Sequence, residues 1–509
     1  MRFSAAFLVL ASSLAFAHQA AEARLPRSTP EAEGVSSRAI LDFVDAADTQ
    51  IDALHSMMLV RHGKVIAEGW WAPATADDRH MLYSLSKAFT STAVGLALAE
   101  GKLSLDDAVM SLFPDQASAA PGDNVGEIRV RDLLTMSTGQ HADAIADFPF
   151  SASEPVAKRF LALPVAHKPG SFFVYNSPAT LMQSAIVQKV TGQNLVDFLR
   201  SRLFEPLGID DPVWETTSEG LALGASGLNI RTEDIACFGQ LFLQRGEWQG
   251  RQLLPASWVD AATARQTSTG SNPASDWDQG YGYQFWRCRP GFARADGAFG
   301  QFCFIMPQHD AVLVLTSGVK DMQAVMNLVW DKVLPAFGPS ALAADAPQHE
   351  ALRTRLAGLS MHVPPAQATS PQAASFAGRT YAFPENAHEL ESITLQVGAG
   401  GEPALVVRGA RSDDGPIPIG HGAWKRGHST FGTDVGGRGA APARWSVAGR
   451  GGWSSPDTFV AKLAYFETPY VLTLTLRFGG DIVVLDGEYN VSFGSTTMGP
   501  LVGRAAPRQ

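Results

Sequence analysis

The chain has 509 residues, which is longer than one ordinary domain and predicts two or three. Its hydrophobic share of 45% and charged share of 18% are typical of a soluble globular protein. The net charge of −10, without a long run of Lys and Arg, argues against nucleic acid as a partner.

The first residues have the pattern of a signal peptide. Met1-Arg2 supplies positive charge, and residues 3–17 are mostly apolar and small. Two small-x-small sequences, Ala15-Phe16-Ala17 and Ala21-Glu22-Ala23, are alternative cleavage sites. Because the apolar stretch is too short to cross a bilayer, we predict that residues 1–23 are removed. The mature protein is then periplasmic or secreted, without a membrane span; an anchored N-terminus is the alternative.

A hairpin and a buried helix are predicted next. Residues 57–61 and 65–67 favour two strands around a short turn. Further on, the apolar run 88–99 is typical of a buried helix that ends with Gly101 as its C-cap. At the head of this helix stand Ser84 and Lys87, which are predicted to lie one turn apart on one face.

The pair Ser84 and Lys87 forms a Ser-x-x-Lys pattern with chemical meaning. A serine hydroxyl is a weak nucleophile unless a base takes its proton, and a lysine amine in a suitable environment can do so. In the first helical turn, the positive end of the helix dipole also favours an oxyanion. The pattern alone is weak, and it occurs again at Ser317-Gly318-Val319-Lys320. We interpret that second copy as a strand end that enters a turn, where the helical geometry fails.

The middle of the chain is predicted to be mostly helical, and a three-stranded meander follows it. Helical or turn patterns occupy residues 103–114, 128–139, 156–163, 179–192, 195–203 and 232–245. Strand patterns occupy residues 281–286, 302–306 and 311–316, and a helix is predicted over 322–334. Hairpin, helical middle, meander and closing helix together predict one antiparallel sheet, built from both ends of this region, with helices packed on it.

The remainder of the chain changes in composition. Residues 341–374 are rich in Ala, Pro and Gln and are predicted to be a linker with a short helix over 350–359. Beyond it, strand patterns alternate with glycine-rich turns, so residues 375–509 are predicted to be a separate all-β domain, a barrel or a sandwich. We find no catalytic motif in this domain.

The three cysteines, Cys237, Cys288 and Cys303, form no Cys-x-x-Cys motif. In an oxidising compartment one disulfide is possible, and Cys288 with Cys303 is the favoured pair, because they lie on two candidate strands on either side of a turn-rich stretch. The histidines lack metal-ligand spacing, so no metal site is predicted.

Three ordered motifs carry a resemblance to a known family. They are residues 83–87, then Tyr175-Asn176-Ser177, then residues 297–300. With the flanking segments 79–84, 133–139, 169–170 and 204–209, the chain resembles the serine β-lactamase-related family over roughly residues 30–335. That family includes class C β-lactamases, D,D-peptidases, family VIII carboxylesterases and 6-aminohexanoate-dimer hydrolases. The resemblance implies an α+β domain over 24–340, in which a β-lactamase/transpeptidase-like antiparallel sheet is flanked by helices as an αβα sandwich.

The resemblance also implies a role for each motif. Ser84 would be the acylated nucleophile, and Lys87 would help to deprotonate it. Tyr175 would carry the proton to the leaving group. The alternative is that Tyr175 only packs in the core. The backbone N–H groups of Ser84 and Ala298 would form the oxyanion hole, and Gly297 would let its strand approach the substrate. The implied reaction is acyl transfer followed by hydrolysis, and it needs no cofactor.

Two departures from the family pattern bear on the substrate. Ser177 stands where the family has Asn, and Asn176 would replace it only after a shift of register. Asp296 precedes Gly297 without the usual Lys or His, and it would repel a substrate carboxylate, although Arg294 is near in sequence. An aromatic pocket is a further expectation, from Tyr283, Trp286, Trp70 and Trp71, with core packing as its alternative.

These observations predict an exported serine hydrolase whose substrate is a small ester or amide, uncharged or amino-terminated. Three alternatives stay open. The first is a β-lactamase or D,D-peptidase. The second is a binding or sensor protein that is acylated without turnover. The third is an inactive scaffold that displays the β domain.

Overall fold

The computed structural model of the protein describes residues 25–118, 122–149, 152–398, 400–409, 415–432 and 444–505. The predicted signal peptide, residues 1–23, lies outside the described residues. Within these ranges, no helix is both long enough and apolar enough to span a membrane.

Helices dominate the N-terminal part and strands the C-terminal part. The α-helices are α1 (Ser37–Gln50), α2 (Ser86–Ala99), α3 (Val109–Leu112), α4 (Val130–Leu134), α5 (Val156–Leu161), α6 (Ser177–Thr191), α7 (Leu195–Leu199), α8 (Glu205–Leu207), α9 (Thr232–Leu243), α10 (Ala256–Thr263), α11 (Met322–Leu328), α12 (Ala346–Ala357) and α13 (Ala373–Phe376). The strands are β1 (Leu54–Arg61), β2 (Lys64–Trp70), β3 (His80–Met81), β4 (Val213–Trp214), β5 (Leu228–Ile230), β6 (Glu247–Trp248), β7 (Arg251–Gln252), β8 (Trp286–Arg287), β9 (Ala293–Gly297), β10 (Gln301–Met306), β11 (Ala311–Ser317), β12 (Thr380–Ala382), β13 (Leu390–Val397), β14 (Pro403–Gly409), β15 (Ile417–Gly420), β16 (Lys425–Ser429), β17 (Trp445–Ser455), β18 (Thr458–Ala464), β19 (Val471–Gly479), β20 (Ile482–Tyr489) and β21 (Thr497–Ala505).

A six-stranded antiparallel sheet organises the N-terminal domain. Its order is β2-β1-β11-β10-β9-β8, so the first hairpin pairs with the last strand of the meander. Every residue of β1 and β11 is buried, as expected of central strands that are covered on both faces. The prediction of one antiparallel sheet from both ends of the region is confirmed.

Helices cover both faces of this sheet because side chains alternate along each strand. Val312 and Val314 point into the apolar cluster beneath α9, and Leu313 and Leu315 point into the opposite cluster, which contains α1 and α11. The result is a β-lactamase/transpeptidase-like αβα sandwich, and the predicted fold class is confirmed.

The C-terminal domain is a β-barrel. Strands β12–β21 form one sheet, and the parallel pairing of β15 with β17 closes nine of them, while β16 pairs with β17. Along β19, Leu472, Leu474 and Leu476 are fully buried, whereas Thr473 and Thr475 are partly exposed. This alternation places leucines in the barrel interior and confirms the all-β prediction.

The predicted pairing of Cys288 with Cys303 is wrong. None of the three cysteines forms a disulfide, and all three are buried. Cys303 lies in the cluster beneath α9, where its thiol faces the Ile235 carbonyl, whereas Cys288 lies in the cluster on the other face. Sequence distance does not reveal which face of a sheet a side chain takes, because a shift of one residue reverses it. Burial raises the pKa of the Cys288 thiol to about 11 and that of Cys303 to about 12.

Thiol titration checks this correction. In native buffer without reductant we expect the three buried thiols to react slowly with a disulfide reagent, because they are covered and held protonated. In denaturant we expect all three thiols to react at once. One reactive thiol instead of three, with the other two recovered only after reduction, would show that a disulfide forms.

Candidate active site

The nucleophile candidate lies in a tight turn directly before α2. Residues Tyr83–Leu85 form a 3₁₀ turn, so Ser84 precedes the α-helix instead of standing in its first turn as predicted. Tyr83 has a φ of 48°, which is unusual for a residue other than glycine. The helix behind it is buried almost throughout and ends at Ala99. Its C-cap is Glu100, one residue before the predicted Gly101, which follows in the left-handed conformation with a φ of 68°.

Lys87 lies within hydrogen-bond distance of Ser84. Its Nζ is 3.1 Å from Ser84 Oγ, 3.4 Å from Ser177 Oγ and 2.7 Å from the Ala225 carbonyl oxygen, and the side chain is 1% exposed. A carbonyl only accepts, so it must receive one N–H from the lysine. A neutral amine has a second N–H for Ser177 and a lone pair for the Ser84 proton. An ammonium would donate to all three oxygens, whereas the neutral amine donates to two and can take the Ser84 proton at its lone pair. The geometry therefore lets Lys87 act as a base in its neutral form.

Tyr175 lies beside the same lysine. Lys87 Nζ is 5.0 Å from the centroid of the Tyr175 ring, close enough for a cation–π attraction when the amine is charged. The ring stacks on Trp286 at 5.5 Å and meets Tyr281 edge-on at 6.2 Å. Burial raises the pKa of Tyr281 well above its ordinary value, so Tyr281 stays neutral. Tyr175 thus stands between the lysine and an aromatic wall.

The third residue of Tyr175-Asn176-Ser177 faces the lysine, and the second does not. Ser177 begins α6 and directs its hydroxyl at Lys87. Asn176 is fully buried, donates from Nδ2 to Gln140 Oε1 at 3.1 Å and accepts at Oδ1 from the Ala144 N–H at 3.3 Å. Its side chain supports the neighbouring loop and does not line the cavity around Ser84.

Gly297 brings β9 against the nucleophile turn. A Cβ added to Gly297 would lie 2.0 Å from the Leu82 carbonyl oxygen and 3.1 Å from the Leu85 nitrogen. Glycine is therefore required because the backbone of β9 lies against the backbone of the nucleophile turn. This contact is additional to the approach to substrate that the resemblance implied. It places Ala298, the next residue, in the wall of the same cavity as Ser84.

Asp296 lies in the cavity wall and is paired from behind. Arg294 Nε donates to Asp296 Oδ2 at 2.7 Å, and the arginine is fully buried, with its guanidinium 4.5 Å from the Trp277 ring. Burial raises the pKa of Asp296, and the guanidinium and Lys87 oppose that shift. Arg294 is therefore covered, and the group that a substrate meets here is the carboxyl of Asp296.

A cavity of about 300 Å³ joins these groups. Its remaining walls are apolar, aromatic or acidic except for one serine. Sequence reasoning missed them because they come from distant segments: Asp143, Ile145, Ser226, Trp277, Met322 and Phe493. Of the four aromatic residues that the sequence suggested for a pocket, Trp286 lines the cavity. Tyr283, Trp70 and Trp71 pack in the core instead.

The serine of the second Ser-x-x-Lys copy stabilises a turn. Ser317 is the last residue of β11, as predicted, and Lys320 is exposed. Ser317 Oγ lies within hydrogen-bond distance of the carbonyl oxygens of Phe299 and Gly300, at 2.9 and 2.8 Å. This serine therefore holds the turn that follows Ala298.

The comparisons with known proteins cover this same region. A family model described as Beta-lactamase matches residues 49–329. The chain is 26% identical over 286 residues to a 6-aminohexanoate-dimer hydrolase from Paenarthrobacter ureafaciens, across 52% of this chain and 73% of that protein. It is 27% identical over 189 residues to a lovastatin esterase from Penicillium rubens, across 33% of this chain and 47% of that protein.

A solved structure has the same fold. It is a protein from Bacillus anthracis assigned as a 6-aminohexanoate-dimer hydrolase, with a TM-score of 0.52 and 19% identity over 61% of this chain and 86% of that one. The region matched by the family model contains Ser84, Lys87, Tyr175 and the strand that ends at Gly297.

Proposed function

This chain belongs to the beta-lactamase family of hydrolases, and on that premise we propose that it is an exported serine hydrolase that cleaves small esters or amides through an acyl-enzyme on Ser84. The observation that carries the proposal is the 3.1 Å contact between Lys87 Nζ and Ser84 Oγ at the edge of a cavity. The relatives named above, a dimer hydrolase and an esterase, support the reaction class.

The proposed reaction has two halves. Ser84 Oγ attacks the substrate carbonyl carbon while its proton passes to Lys87 or Tyr175. The N–H groups of Ser84 and Ala298 stabilise the oxyanion. The bond to the leaving group then breaks, and the departing alcohol or amine receives the proton, with Tyr175 as its donor. Water attacks the resulting Ser84 ester, gives up a proton to the same base, and releases the carboxylic acid with Ser84 restored.

The charge of the cavity favours a neutral or ammonium-bearing substrate. Asp143 and Asp296 both line it, and the buried Arg294 presents no free face to a ligand. A β-lactam or a D-Ala-D-Ala peptide would bring its carboxylate against these acids, which costs free energy at short range. Trp277 and Trp286 offer an apolar surface to the rest of the substrate.

An isosteric substitution that removes one carboxylate tests this selectivity. We expect Asp296→Asn to raise kcat/KM for nitrocefin, which carries a carboxylate, by about 5- to 30-fold, because the carboxylate in the cavity wall is removed and the positive charge of Arg294 behind it is no longer neutralised. For p-nitrophenyl butyrate, which is neutral, we expect a change of less than about threefold. The measurement is steady-state kinetics with both substrates, alongside the melting temperature of each variant.

Asp457→Asn, at an exposed residue in the turn between β17 and β18 and outside the cavity lining, is the control for net charge. Equal nitrocefin kinetics in Asp296→Asn and wild type would contradict the role of this carboxylate. Nitrocefin turnover well above ester turnover in the wild type would favour a β-lactamase or D,D-peptidase. One stoichiometric burst without steady state would favour a sensor.

A further inference from the structure

Among the residues that the structure describes, a loop of the C-terminal barrel reaches the cavity of the N-terminal domain. Residues 490–496 connect β20 to β21, and Phe493 in this loop lines the same cavity as Ser84, Tyr175 and Ala298. We propose that the barrel completes the substrate site, with Phe493 as a specificity residue that contacts the apolar part of the substrate. This inference rests on the proposed function and adds a role for the second domain.

The ring of Phe493 packs on the two residues that flank the reacting groups. It meets the Tyr83 ring edge-on with centroids 5.5 Å apart, and the Phe299 ring with centroids 4.7 Å apart. Tyr83 directly precedes Ser84 in the chain, and Phe299 directly follows Ala298. A ring in this position stands at the mouth of the cavity, beside both the nucleophile and the expected oxyanion hole.

A second contact from the barrel fixes the same turn. The hydroxyl groups of Tyr83 and Tyr470 share a hydrogen bond, and Tyr470 is fully buried between β18 and β19. The Tyr470 ring also meets the Phe299 ring edge-on at 5.9 Å. Tyr83, with its left-handed backbone, is therefore held by the barrel domain as well as by its own.

The loop is anchored, so Phe493 has a defined place. Asn490 Nδ2 donates to the carbonyl oxygens of Gly318 and Pro469, at 2.7 and 2.9 Å, and Asn490 Oδ1 accepts from the Val471 N–H at 2.8 Å. A Cβ at Gly318 would lie 2.0 Å from the Pro469 oxygen, so the two domains meet here backbone to backbone. These contacts fix the base of the loop three residues before Phe493.

The exposure of Phe493 separates a binding role from a packing role. Val491, two residues earlier, is fully buried with the barrel core, whereas Phe493 is 51% exposed. A ring that only sealed the contact between the domains would be covered on both faces. Phe493 is instead half exposed and lines the cavity, so an apolar group bound there would cover part of its surface.

Ester kinetics test the specificity role. In Phe493→Ala we expect the ratio of kcat/KM for p-nitrophenyl butyrate to that for p-nitrophenyl acetate to fall about tenfold, because the longer acyl group loses an apolar contact. Phe493→Leu should give an intermediate ratio. Val502→Ala, which removes an apolar side chain that is 48% exposed on β21, is the control and should keep the wild-type ratio. An unchanged ratio in Phe493→Ala would overturn the role of Phe493. It would not affect the proposed function, which depends on turnover of these esters by the wild type.

A labelling experiment gives a readout that does not require turnover. In the double variant Ser84→Ala/Phe493→Cys the new thiol is accessible, because Phe493 is 51% exposed. The three native cysteines are at most 2% exposed and add little background labelling. We expect saturating butyranilide, a neutral amide, to slow alkylation of this thiol by iodoacetamide at least threefold, and to have no effect in Ser84→Ala/Val502→Cys. Protection without wild-type turnover would support the shared site and count against the proposed reaction. Turnover without protection would overturn the role of the loop. If neither turnover nor protection is observed, both the proposed function and the role of Phe493 are rejected.

Discussion

Ser84→Ala is expected to lower kcat/KM for p-nitrophenyl butyrate by about 10³- to 10⁵-fold, with the fold and melting temperature preserved. The variant removes the one atom that forms the acyl ester, and the lysine Nζ at 3.1 Å then has no hydroxyl to deprotonate. The residual rate would come from the cavity and the backbone N–H groups alone. Steady-state kinetics and labelling by a fluorophosphonate probe measure the effect.

Ser86→Ala is the matched control for this variant. Ser86 lies two residues along the chain, and its Oγ accepts from the Leu228 N–H at 3.1 Å in the buried core. Its loss leaves a buried amide without that partner and is expected to cost about 1–3 kcal/mol of stability. Activity should stay within a few-fold of wild type. Equal losses of activity in the two variants would indicate structural damage instead of a nucleophile.

Gly297→Ala is expected to lower kcat by at least about 100-fold and to destabilise the protein. The new Cβ would stand 2.0 Å from the Leu82 carbonyl oxygen, so β9 and the nucleophile turn must move apart by roughly 1 Å. A displacement of that size misplaces Ala298 relative to Ser84, because each residue adjoins the contact. The loss should appear mainly in kcat, since the remaining walls of the cavity are unaltered.

The control variant is Gly479→Ala, at the end of β19 in the barrel. A Cβ there would meet nothing within 4 Å, and its φ is not positive, so alanine should be tolerated without loss of activity. Wild-type kcat in Gly297→Ala, measured at a temperature where the variant is folded, would refute the account of how β9 positions the oxyanion hole.

Local periodicity was sufficient to predict the parts of the site that lie on regular elements. The spacing of Ser84 and Lys87 required only the geometry of one turn, and the strand ending at Ser317 followed from an unbroken apolar run. The sheet followed from the order of its strands. The 3₁₀ turn at Tyr83–Leu85 was not predictable, because it depends on contacts with β9 and with Tyr470, each more than 200 residues away.

The remaining walls depend on tertiary packing that no local pattern encodes. Asp143 faces the cavity from a loop whose neighbour Ala144 is held by Asn176, and Phe493 reaches it from another domain. The failed pairing of Cys288 with Cys303 has the same origin, since the face that each cysteine takes is set by register. The sequence shows an acid, Asp296, beside Gly297. Its hydrogen bond from the buried Arg294 is visible only in the folded strand.

Trapping the acyl-enzyme tests the central claim most directly. The protein is mixed with p-nitrophenyl butyrate, quenched in acid within the first turnovers, digested and examined by mass spectrometry. We predict that the peptide containing Ser84 gains the mass of one butyryl group, that the gain disappears in Ser84→Ala, and that it persists in Ser86→Ala. Turnover of the ester with no adduct on Ser84, or with the adduct on a different residue, would contradict the account.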